Sequence, residues 1–414
     1  MINKTIRFIE ELRPHTPNIF WSNLNQGVTT ASALVLSIVF TRLGSKELYG
    51  QYLFVLAMFG LFSIISIPGV RTVIFRTTAQ GYDGVYRKAT KFSFLLSLLG
   101  IPLLVAAGVF FYLFKTKILG ITLIVFALFF PFVESLQNWM LYLKGGSEFR
   151  KLTFYNLVKI LISLIAVTLS IVFTRNIIVI LLAYFLVSSG FNILYHFQSV
   201  KSLRNDKLDK GWKKQSYALT IMGLSSIIFG RVDIVLIGAL LPLGQVAVYG
   251  LVMKFADAFF QTIRGTIEAV LPNLFQSKKI TIRYFYGYFL LSFLVPLILY
   301  PIVKYPILLM YPKEFSQVIF LSQVYLAIIP FYFFNSIASC FMVKYQLNAE
   351  INISRIASMT ILIALYAILI PLYGVWGGVV SSMLYFIIQL LLNLSLLKIR
   401  STKRYQGGQL QGTV

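Results

Sequence analysis

The chain has 414 residues, of which 58% are hydrophobic and only 12% are charged, and its mean hydropathy is +0.81. Soluble domains carry about 25% charged residues, so this composition excludes a soluble globular protein and indicates an integral membrane protein. The net charge of +24 is explained by basic loops on one side of a membrane, and we therefore expect no nucleic-acid partner.

Apolar runs long enough to cross a hydrocarbon core of about 30 Å occur along the whole chain. They predict an all-α integral membrane protein with twelve transmembrane helices, whose approximate spans are 18–41, 48–68, 91–114, 118–142, 153–173, 177–197, 216–241, 246–270, 283–303, 317–343, 353–373 and 375–397. Lys and Arg concentrate at both termini and in every second loop, which predicts that both termini are cytosolic.

The N-terminal segment 1–17 lacks the uninterrupted apolar core of a signal peptide and is predicted to be a cytosolic amphipathic segment. The densest basic stretch, Lys201–Lys214, lies between the sixth and seventh spans. It is interpreted either as a topology determinant at the lipid headgroups or as a docking site for a partner.

A short repeat marks two equivalent places in the chain. Residues 43–50 (LGSKELYG) and 243–250 (LGQVAVYG) both follow L-G-x-x-x-x-Y-G, and each joins the first two spans of a predicted six-span half. Six spans are an even number, so the halves have the same orientation, as in parallel repeats around a central substrate cavity. The predicted segments are the cytosolic N-terminus 1–17, an N-terminal six-helix lobe 18–200, a basic linker 201–215, a C-terminal six-helix lobe 216–398 and a cytosolic tail 399–414.

Polar residues recur at helical spacing in the eighth predicted span. Lys254, Asp257, Gln261, Arg264 and Glu268 are separated by 3, 4, 3 and 4 positions, which places all five within an arc of roughly 80° on one helix face. Charges within a membrane are costly and face a protein interior or a water-filled cavity. This face therefore indicates the lining of a transporter.

The turn between the seventh and eighth spans predicts two charge pairs. Asp233 and Lys254 lie at similar distances from the turn, as do Arg231 and Asp257 one helical turn deeper. We expect Asp233–Lys254 and Arg231–Asp257 to face each other. One interpretation is mutual neutralisation that holds the helices in register; the other is a protonatable or ion-binding site.

Several segments resemble a known transporter family. TRLGSKELYGQYLF (41–54), the stretch 231–259, Pro272 at the end of the eighth span and PLYGVWGGVVSS (371–382) resemble the polysaccharide-exporter (oligosaccharide flippase) branch of the multidrug/oligosaccharidyl-lipid/polysaccharide (MOP) flippase superfamily. The resemblance implies twelve helices in two six-helix bundles. It further implies alternating-access translocation of an undecaprenyl-diphosphate-linked oligosaccharide across the bacterial cytoplasmic membrane, for surface polysaccharides such as O-antigen or capsule. Membrane lipids, a polysaccharide polymerase and chain-length machinery are the implied partners.

Basic residues near the cytosolic side are candidates for binding such a diphosphate. Arg264 offers a planar fork of donors, with Gln261 on the same face. Arg71 and Arg76 follow the second span and either anchor the topology or capture the headgroup at an entrance. Lys159 in the fifth span is a further candidate, with snorkelling to the interface as its alternative.

The first span carries uncharged polar residues on one face. Ser22, Asn25 and Thr29 keep helical spacing, and their hydroxyl and amide groups suit sugars because they both donate and accept hydrogen bonds. The alternative is that they hydrogen-bond to a neighbouring span.

No constellation typical of an enzyme is found in the sequence. His15 and His196 are far apart, Cys340 is the single cysteine, and no nucleotide-binding motif is present. We therefore expect no catalytic residue, metal or cofactor. An integral-membrane glycosyl polymerase or ligase is disfavoured because such enzymes need a large outer loop, whereas a cation-coupled small-molecule exporter of the same superfamily remains an alternative.

Overall fold

The computed structural model describes residues 16–276, 282–345 and 347–406, without the side chains of 16, 258, 262–276, 282–291, 344, 348 and 399–406. Within these residues the chain is helical and contains no strand, as the all-α prediction required. The chain forms two compact units, Met1–Arg231 and Val232–Val414.

Unit 1 contains eleven helices among the described residues, several of them joined by short 3₁₀ segments. They are α1 (Thr16–Leu43), α2 (Lys46–Phe62), α3 (Gly69–Ala79), α4 (Gly84–Ser97), α5 (Gly100–Phe114), α6 (Lys117–Phe126), α7 (Phe130–Glu134), α8 (Trp139–Gly145), α9 (Phe149–Thr174), α10 (Ile177–Lys201) and α11 (Trp212–Phe229).

Unit 2 contains eight helices in the described part of the chain. They are α12 (Val232–Leu240), α13 (Leu243–Gln276), α14 (Ile282–Ile302), α15 (Lys304–Met310), α16 (Gln317–Tyr325), α17 (Ile329–Lys344), α18 (Asn348–Tyr373) and α19 (Val375–Gln406).

The predicted number of spans is confirmed. Eleven helical stretches in the described residues are long and apolar enough to cross a membrane, and α11 with α12 forms a twelfth if this broken pair is one span. The break falls at Gly230–Arg231, within the predicted seventh span 216–241. The protein is therefore a multi-pass membrane protein.

The repeated motif forms a tight helix–helix turn in each unit. In unit 1, the Ser45 hydroxyl oxygen accepts a hydrogen bond from the Leu48 backbone N–H at 3.1 Å and caps α2. A Cβ on Gly44 would lie 2.7 Å from the Phe40 carbonyl oxygen, so the close approach needs glycine. The motif tyrosines, Tyr49 and Tyr249, are fully buried in their respective units.

An aromatic core closes the end of unit 1 that carries the basic loops. Tyr86 and Tyr142 stack with ring centroids 4.7 Å apart, and Trp139 packs edge-on against Tyr195 at 4.9 Å. Trp212, the first residue of α11, joins the same core. Apolar packing thus attaches the start of the seventh predicted span to unit 1.

Helix α11 packs closely against α3. The Gly69 backbone N–H donates to Thr220 Oγ1 at 2.9 Å. A side chain on Gly69 would collide with the backbone of α11, so the two helices can come this close only because the residue is glycine. The compact units accordingly divide at Arg231, whereas the repeat predicts that the C-terminal lobe begins at residue 216. The lobe boundaries and the linker 201–215 stay a prediction.

The segment after α10 folds back onto unit 1 through polar contacts. The Arg204 backbone N–H donates to Asp83 Oδ2 at 3.1 Å, and its guanidinium pairs with Glu148 at 3.2 Å. Asp206 pairs with Arg87 at 3.0 Å, although both side chains are more than half exposed. Charged residues of this stretch thus pair with oppositely charged residues elsewhere in unit 1.

Unit 2 uses its glycine cluster for a turn and for close packing. Gly374 has φ +61° between α18 and α19, a conformation that side chains rarely adopt. A Cβ on Gly377 would lie 2.0 Å from the Leu369 carbonyl oxygen, and one on Gly378 would lie 3.0 Å from Ile237 Cδ1. Gly377 and Gly378 therefore allow α19 to pack closely against its neighbouring helices.

Buried amides join α17 to α19. Asn335 Nδ2 donates to Gln389 Oε1, and Asn393 Nδ2 donates to Asn335 Oδ1, each at 2.7 Å. All three side chains are buried. Interhelical hydrogen bonds of this kind help to hold helices together in a membrane. Lipid chains are as apolar as leucine side chains, so burial of apolar surface does not drive helices together there.

We expect Gly69→Ala to destabilise unit 1. The new Cβ would lie 2.1 Å from the Ser216 carbonyl oxygen, which is backbone and cannot rotate away. Overpacking typically costs about 1–3 kcal/mol, and thermal unfolding in detergent would measure it. Gly190→Ala is the matched control, because no atom lies within 4 Å of its added Cβ. Equal unfolding temperatures for the two variants would contradict the α3–α11 packing.

Candidate functional site

The fourth span is interrupted where it carries a carboxylate. Pro131 lies in the first turn of α7, and 3₁₀ segments flank that helix at Ala127–Phe129 and Leu136–Asn138. Proline lacks a backbone donor and 3₁₀ turns change the hydrogen-bonding pattern. Backbone carbonyls at this break consequently accept hydrogen bonds from side chains of other helices.

Arg71 satisfies one of these carbonyls and pairs with the carboxylate beside it. Its Nη2 donates to the Glu134 carbonyl oxygen at 2.9 Å and to Glu134 Oε2 at 2.7 Å. The Glu134 side chain is 11% exposed and that of Arg71 is 31% exposed. Arg71 is recognisable from the sequence as a candidate site residue, whereas its partner Glu134 is not.

Asn192 on α10 satisfies the carbonyls before Glu134. Its Nδ2 donates to Phe132 O at 3.2 Å and Val133 O at 3.4 Å. Its Oδ1 accepts from Lys159 Nζ at 2.9 Å and from Trp139 Nε1 at 3.3 Å. Lys159 is therefore held inside unit 1 by the fully buried amide of Asn192. The sequence around Asn192 is mainly apolar and does not indicate that this amide binds Lys159.

Positive charge exceeds negative charge around this break. Lys159 reaches the break through Asn192, which accepts from Lys159 and donates to the carbonyls of Phe132 and Val133. A Cβ on Gly60 would lie 2.6 Å from Arg231 Nε, so this glycine leaves room for the guanidinium. We call Arg71, Lys159, Arg231 and Glu134 the basic cluster; it contains three cations and one carboxylate.

Arg76 lies in a different environment from Arg71. Its guanidinium pairs with Asp209 at 3.1 Å and donates to Gln215 Oε1. Asp209 belongs to the segment that leads into α11 and Gln215 to the first turn of α11, so Arg76 attaches both to α3. Its role as an entrance residue stays a prediction.

The polar face of the first span contacts α9. Asn156 Nδ2 donates to Asn25 Oδ1 at 2.9 Å and to Thr29 Oγ1 at 3.3 Å. Thr29 also donates to the Asn25 carbonyl oxygen at 2.8 Å. Asn25 and Thr29 thus form interhelical hydrogen bonds, and Ser22 is half-buried. The sugar-binding roles of all three residues stay predictions.

Unit 2 contains a buried carboxylate within a hydroxyl network. Asp233 Oδ2 accepts from the Tyr249 hydroxyl at 2.9 Å, and Oδ1 accepts from the Ile234 backbone N–H at 2.7 Å. The Tyr249 and Ser382 hydroxyls lie 3.0 Å apart, and Ser382 also lies 2.8 Å from the Tyr366 hydroxyl. The repeat tyrosine Tyr249 therefore stabilises the charge of Asp233.

The polar stripe of the eighth span lies on α13. Lys254 is half-buried, whereas Asp257 and Gln261 are exposed within the described structure. The side chains of Arg264 and Glu268 lie outside those that the structure describes. The pairs Asp233–Lys254 and Arg231–Asp257, and the substrate-binding roles of Gln261 and Arg264, stay predictions.

No group of three or more His, Cys, Asp and Glu side chains is placed to hold a metal ion within the ranges that the structure describes. The chemistry of the basic cluster is instead that of an anion site. Guanidinium and ammonium groups offer charged donors to phosphate oxygens, and a low-dielectric surrounding strengthens that attraction.

We expect Arg71 and Glu134 to be strongly coupled in a double-mutant cycle. Arg71→Gln and Glu134→Gln each leave one charge unpaired, so the double variant should lose less free energy of unfolding than the two single losses together. The expected coupling is about 1–3 kcal/mol for a partly buried, hydrogen-bonded pair. Unfolding in mixed micelles would measure this difference.

The exposed pair Arg87–Asp206 provides the control for this cycle. Its side chains are 53% and 72% exposed, and such pairs couple by about 0.2–1 kcal/mol. Equal coupling in the two cycles would contradict the conclusion that Glu134 is the buried counter-ion of Arg71.

Known proteins resemble this chain in sequence and in fold. The model of the family described as "Polysaccharide biosynthesis protein" matches residues 16–278. A comparison with curated proteins finds no match.

Three solved structures cover nearly the whole chain. An inward-facing multidrug resistance MATE family transporter of the MOP superfamily is 14% identical, with a TM-score of 0.70 over 91% of this chain and 95% of its own. The lipid II flippase MurJ in an inward closed conformation is 15% identical, with a TM-score of 0.65 over 92% and 87%. A MOP superfamily transporter from Pyrococcus furiosus is 15% identical, with a TM-score of 0.59 over 91% and 93%.

At these identities the solved structures show a shared fold only. The family match covers more than half of the sequence and includes both copies of the repeated motif. The chain therefore belongs to the polysaccharide biosynthesis protein family and has the fold of the MOP flippase superfamily.

Proposed function

We propose that the protein is a flippase that moves an undecaprenyl-diphosphate-linked oligosaccharide across the bacterial cytoplasmic membrane for surface polysaccharide biosynthesis. The family match over residues 16–278 carries this proposal, because it ties a transporter fold to polysaccharide biosynthesis. MurJ is a flippase of lipid II with the same fold. Both termini are cytosolic in this proposal, and the oligosaccharide is delivered to a polymerase and chain-length machinery on the outer side.

The basic cluster supports an anionic headgroup as the substrate. A lipid diphosphate carries about two negative charges and several acceptor oxygens, which require more than one charged donor. Arg71 supplies a planar guanidinium and Lys159 an ammonium that is already oriented by Asn192 at 2.9 Å. Arg231 adds a third cation against the surface of α2.

Glu134 explains how such a site remains both stable and reversible. Without substrate, its carboxylate neutralises Arg71 at 2.7 Å, which avoids the cost of an unpaired charge in the membrane. An entering diphosphate competes with this carboxylate for the guanidinium. Repulsion between Glu134 and the phosphate oxygens then limits affinity, so the headgroup can leave on the other side.

A cation-coupled small-molecule exporter is the second candidate function. The MATE family transporter shares the fold, and Asp233 is a buried carboxylate surrounded by hydroxyl groups. A carboxylate inside a membrane protein is a typical proton-relay or ion-binding group. A glycosyl polymerase or ligase has less support, because the described chain is matched by transporters over its length.

Deletion of the gene tests the cellular function. We expect loss of surface polysaccharide with accumulation of lipid-linked repeat units inside the cell, because synthesis would continue while translocation stops. Polysaccharide analysis and extraction of lipid-linked intermediates would measure both effects. Unchanged polysaccharide together with altered dye resistance would instead identify the exporter.

Lys159→Met tests the anion site directly. The substitution keeps the length of the side chain and removes a charged hydrogen bond worth about 1.5–3 kcal/mol. We therefore expect translocation of a fluorescent lipid-linked oligosaccharide in proteoliposomes to slow by roughly 10–100-fold.

Lys144→Met is the matched control for that assay. Lys144 also lies in unit 1, but it is exposed at the end of α8, near the ring of Phe75, and belongs to no cluster of site residues. Translocation by this variant should stay close to that of the original protein. A normal rate for a correctly folded Lys159→Met protein would contradict the proposed role of the basic cluster.

A further inference from the structure

An open cleft lies between the first turns of α1 and α9 in unit 1. Its volume is about 810 Å³, within the range of about 300–1,000 Å³ that small-molecule sites occupy. The candidate spans Pro17–Leu43 and Phe149–Thr174 both begin here. The cleft therefore lies where a membrane protein meets the lipid headgroups.

The rim of the cleft is basic. Arg150 and Lys151 line it together with one carboxylate, Glu148. Glu148 already pairs with Lys151 at 3.5 Å and with Arg204 at 3.2 Å. No carboxylate within the described ranges 16–276, 282–345 and 347–406 pairs with exposed Arg150, so the rim keeps an excess positive charge.

An aromatic ring separates this rim from an apolar wall. The Arg150 guanidinium carbon lies 5.9 Å from the centre of the Trp21 ring. Thr153 Oγ1 donates to the Trp21 carbonyl oxygen at 2.9 Å, which fixes α1 against α9 at this level. Leu24 and Phe154 follow along the two helices and are 37% and 61% exposed.

This order of groups matches the chemistry of a phospholipid. Cations face the phosphate, an indole occupies the interfacial level where tryptophan is enriched, and apolar side chains continue along the acyl chain. A soluble anion would leave the apolar wall of the cleft uncovered. A neutral lipid would leave the charge of Arg150 uncompensated.

We infer that the cleft between α1 and α9 is a binding site for an anionic glycerophospholipid, held by Arg150 and Lys151 with its acyl chain against Leu24 and Phe154. The site lies apart from the basic cluster and does not depend on the proposed function. Anionic lipid would tie α1 to α9 in addition to the contacts of Thr153 and Asn156.

Quenching of Trp21 fluorescence by brominated lipid tests this site. The full chain is reconstituted in phosphatidylcholine nanodiscs that contain a variable share of chain-brominated phosphatidylglycerol or chain-brominated phosphatidylcholine. The difference between the original protein and Trp21→Phe isolates the signal of Trp21 from the other tryptophans. Because the brominated chains are identical, any difference between the two titrations measures a preference of the site for one headgroup over the other.

We expect half-maximal quenching at a mole fraction on the order of tenfold lower for the brominated phosphatidylglycerol, given two cations at the rim. The double substitution Arg150→Gln/Lys151→Gln should make the two titrations coincide. Lys88→Gln/Lys91→Gln removes the same charge from exposed positions on α4, outside the cleft, and should preserve the difference.

Three outcomes would overturn the inference. Coincident titrations in the original protein would mean that only ordinary surrounding lipid contacts Trp21. An equal loss of preference in both double variants would mean that general surface charge attracts the lipid. Displacement by undecaprenyl diphosphate at a lower mole fraction than by unbrominated phosphatidylglycerol would assign the cleft to a polyprenyl lipid instead.

Discussion

A membrane interior offers no water to backbone groups, and this constraint explains the site in unit 1. Pro131 and two short 3₁₀ segments break the regular hydrogen bonding of the fourth span. The carbonyls at the break must find donors within the protein, and Arg71 and Asn192 supply them from other helices. Arg71 also pairs with Glu134, and Asn192 also accepts from Lys159. The same two side chains therefore satisfy the backbone carbonyls at the break and fix the positions of the charged groups beside it.

Buried and partly buried charges have different surroundings in the two compact units. In unit 1, the basic cluster contains three cations and one carboxylate, Glu134, which suits an anionic headgroup. In unit 2, Asp233 is surrounded by the hydroxyls of Tyr249, Tyr366 and Ser382, which suits a carboxylate that stays buried.

Packing at the basic end of unit 1 gives the polar segment between α10 and α11 a structural role. Asp209 pairs with Arg76, and the backbone N–H of Arg204 donates to Asp83. Trp212 then enters the aromatic core, and Gly69 allows α11 to approach α3. A segment that composition identifies as a basic linker is therefore held along most of its length by specific contacts.

The sequence by itself determined the class of protein, the number and approximate positions of the spans, the repeat and the family. These features depend on local hydrophobicity and on short motifs, which each stretch of chain carries independently of the rest. The candidate cations were also recognisable, because Lys159 is an ionisable residue in an apolar run, which is rare, and Arg71 follows the second span on the predicted cytosolic side. Only the tertiary structure decided their partners: Glu134 pairs with Arg71 and Asn192 accepts from Lys159, each from another helix, so the pairing depends on helix rotation and on the break at Pro131. Helical periodicity defines which residues share a face, but it contains no information on which neighbour that face will meet.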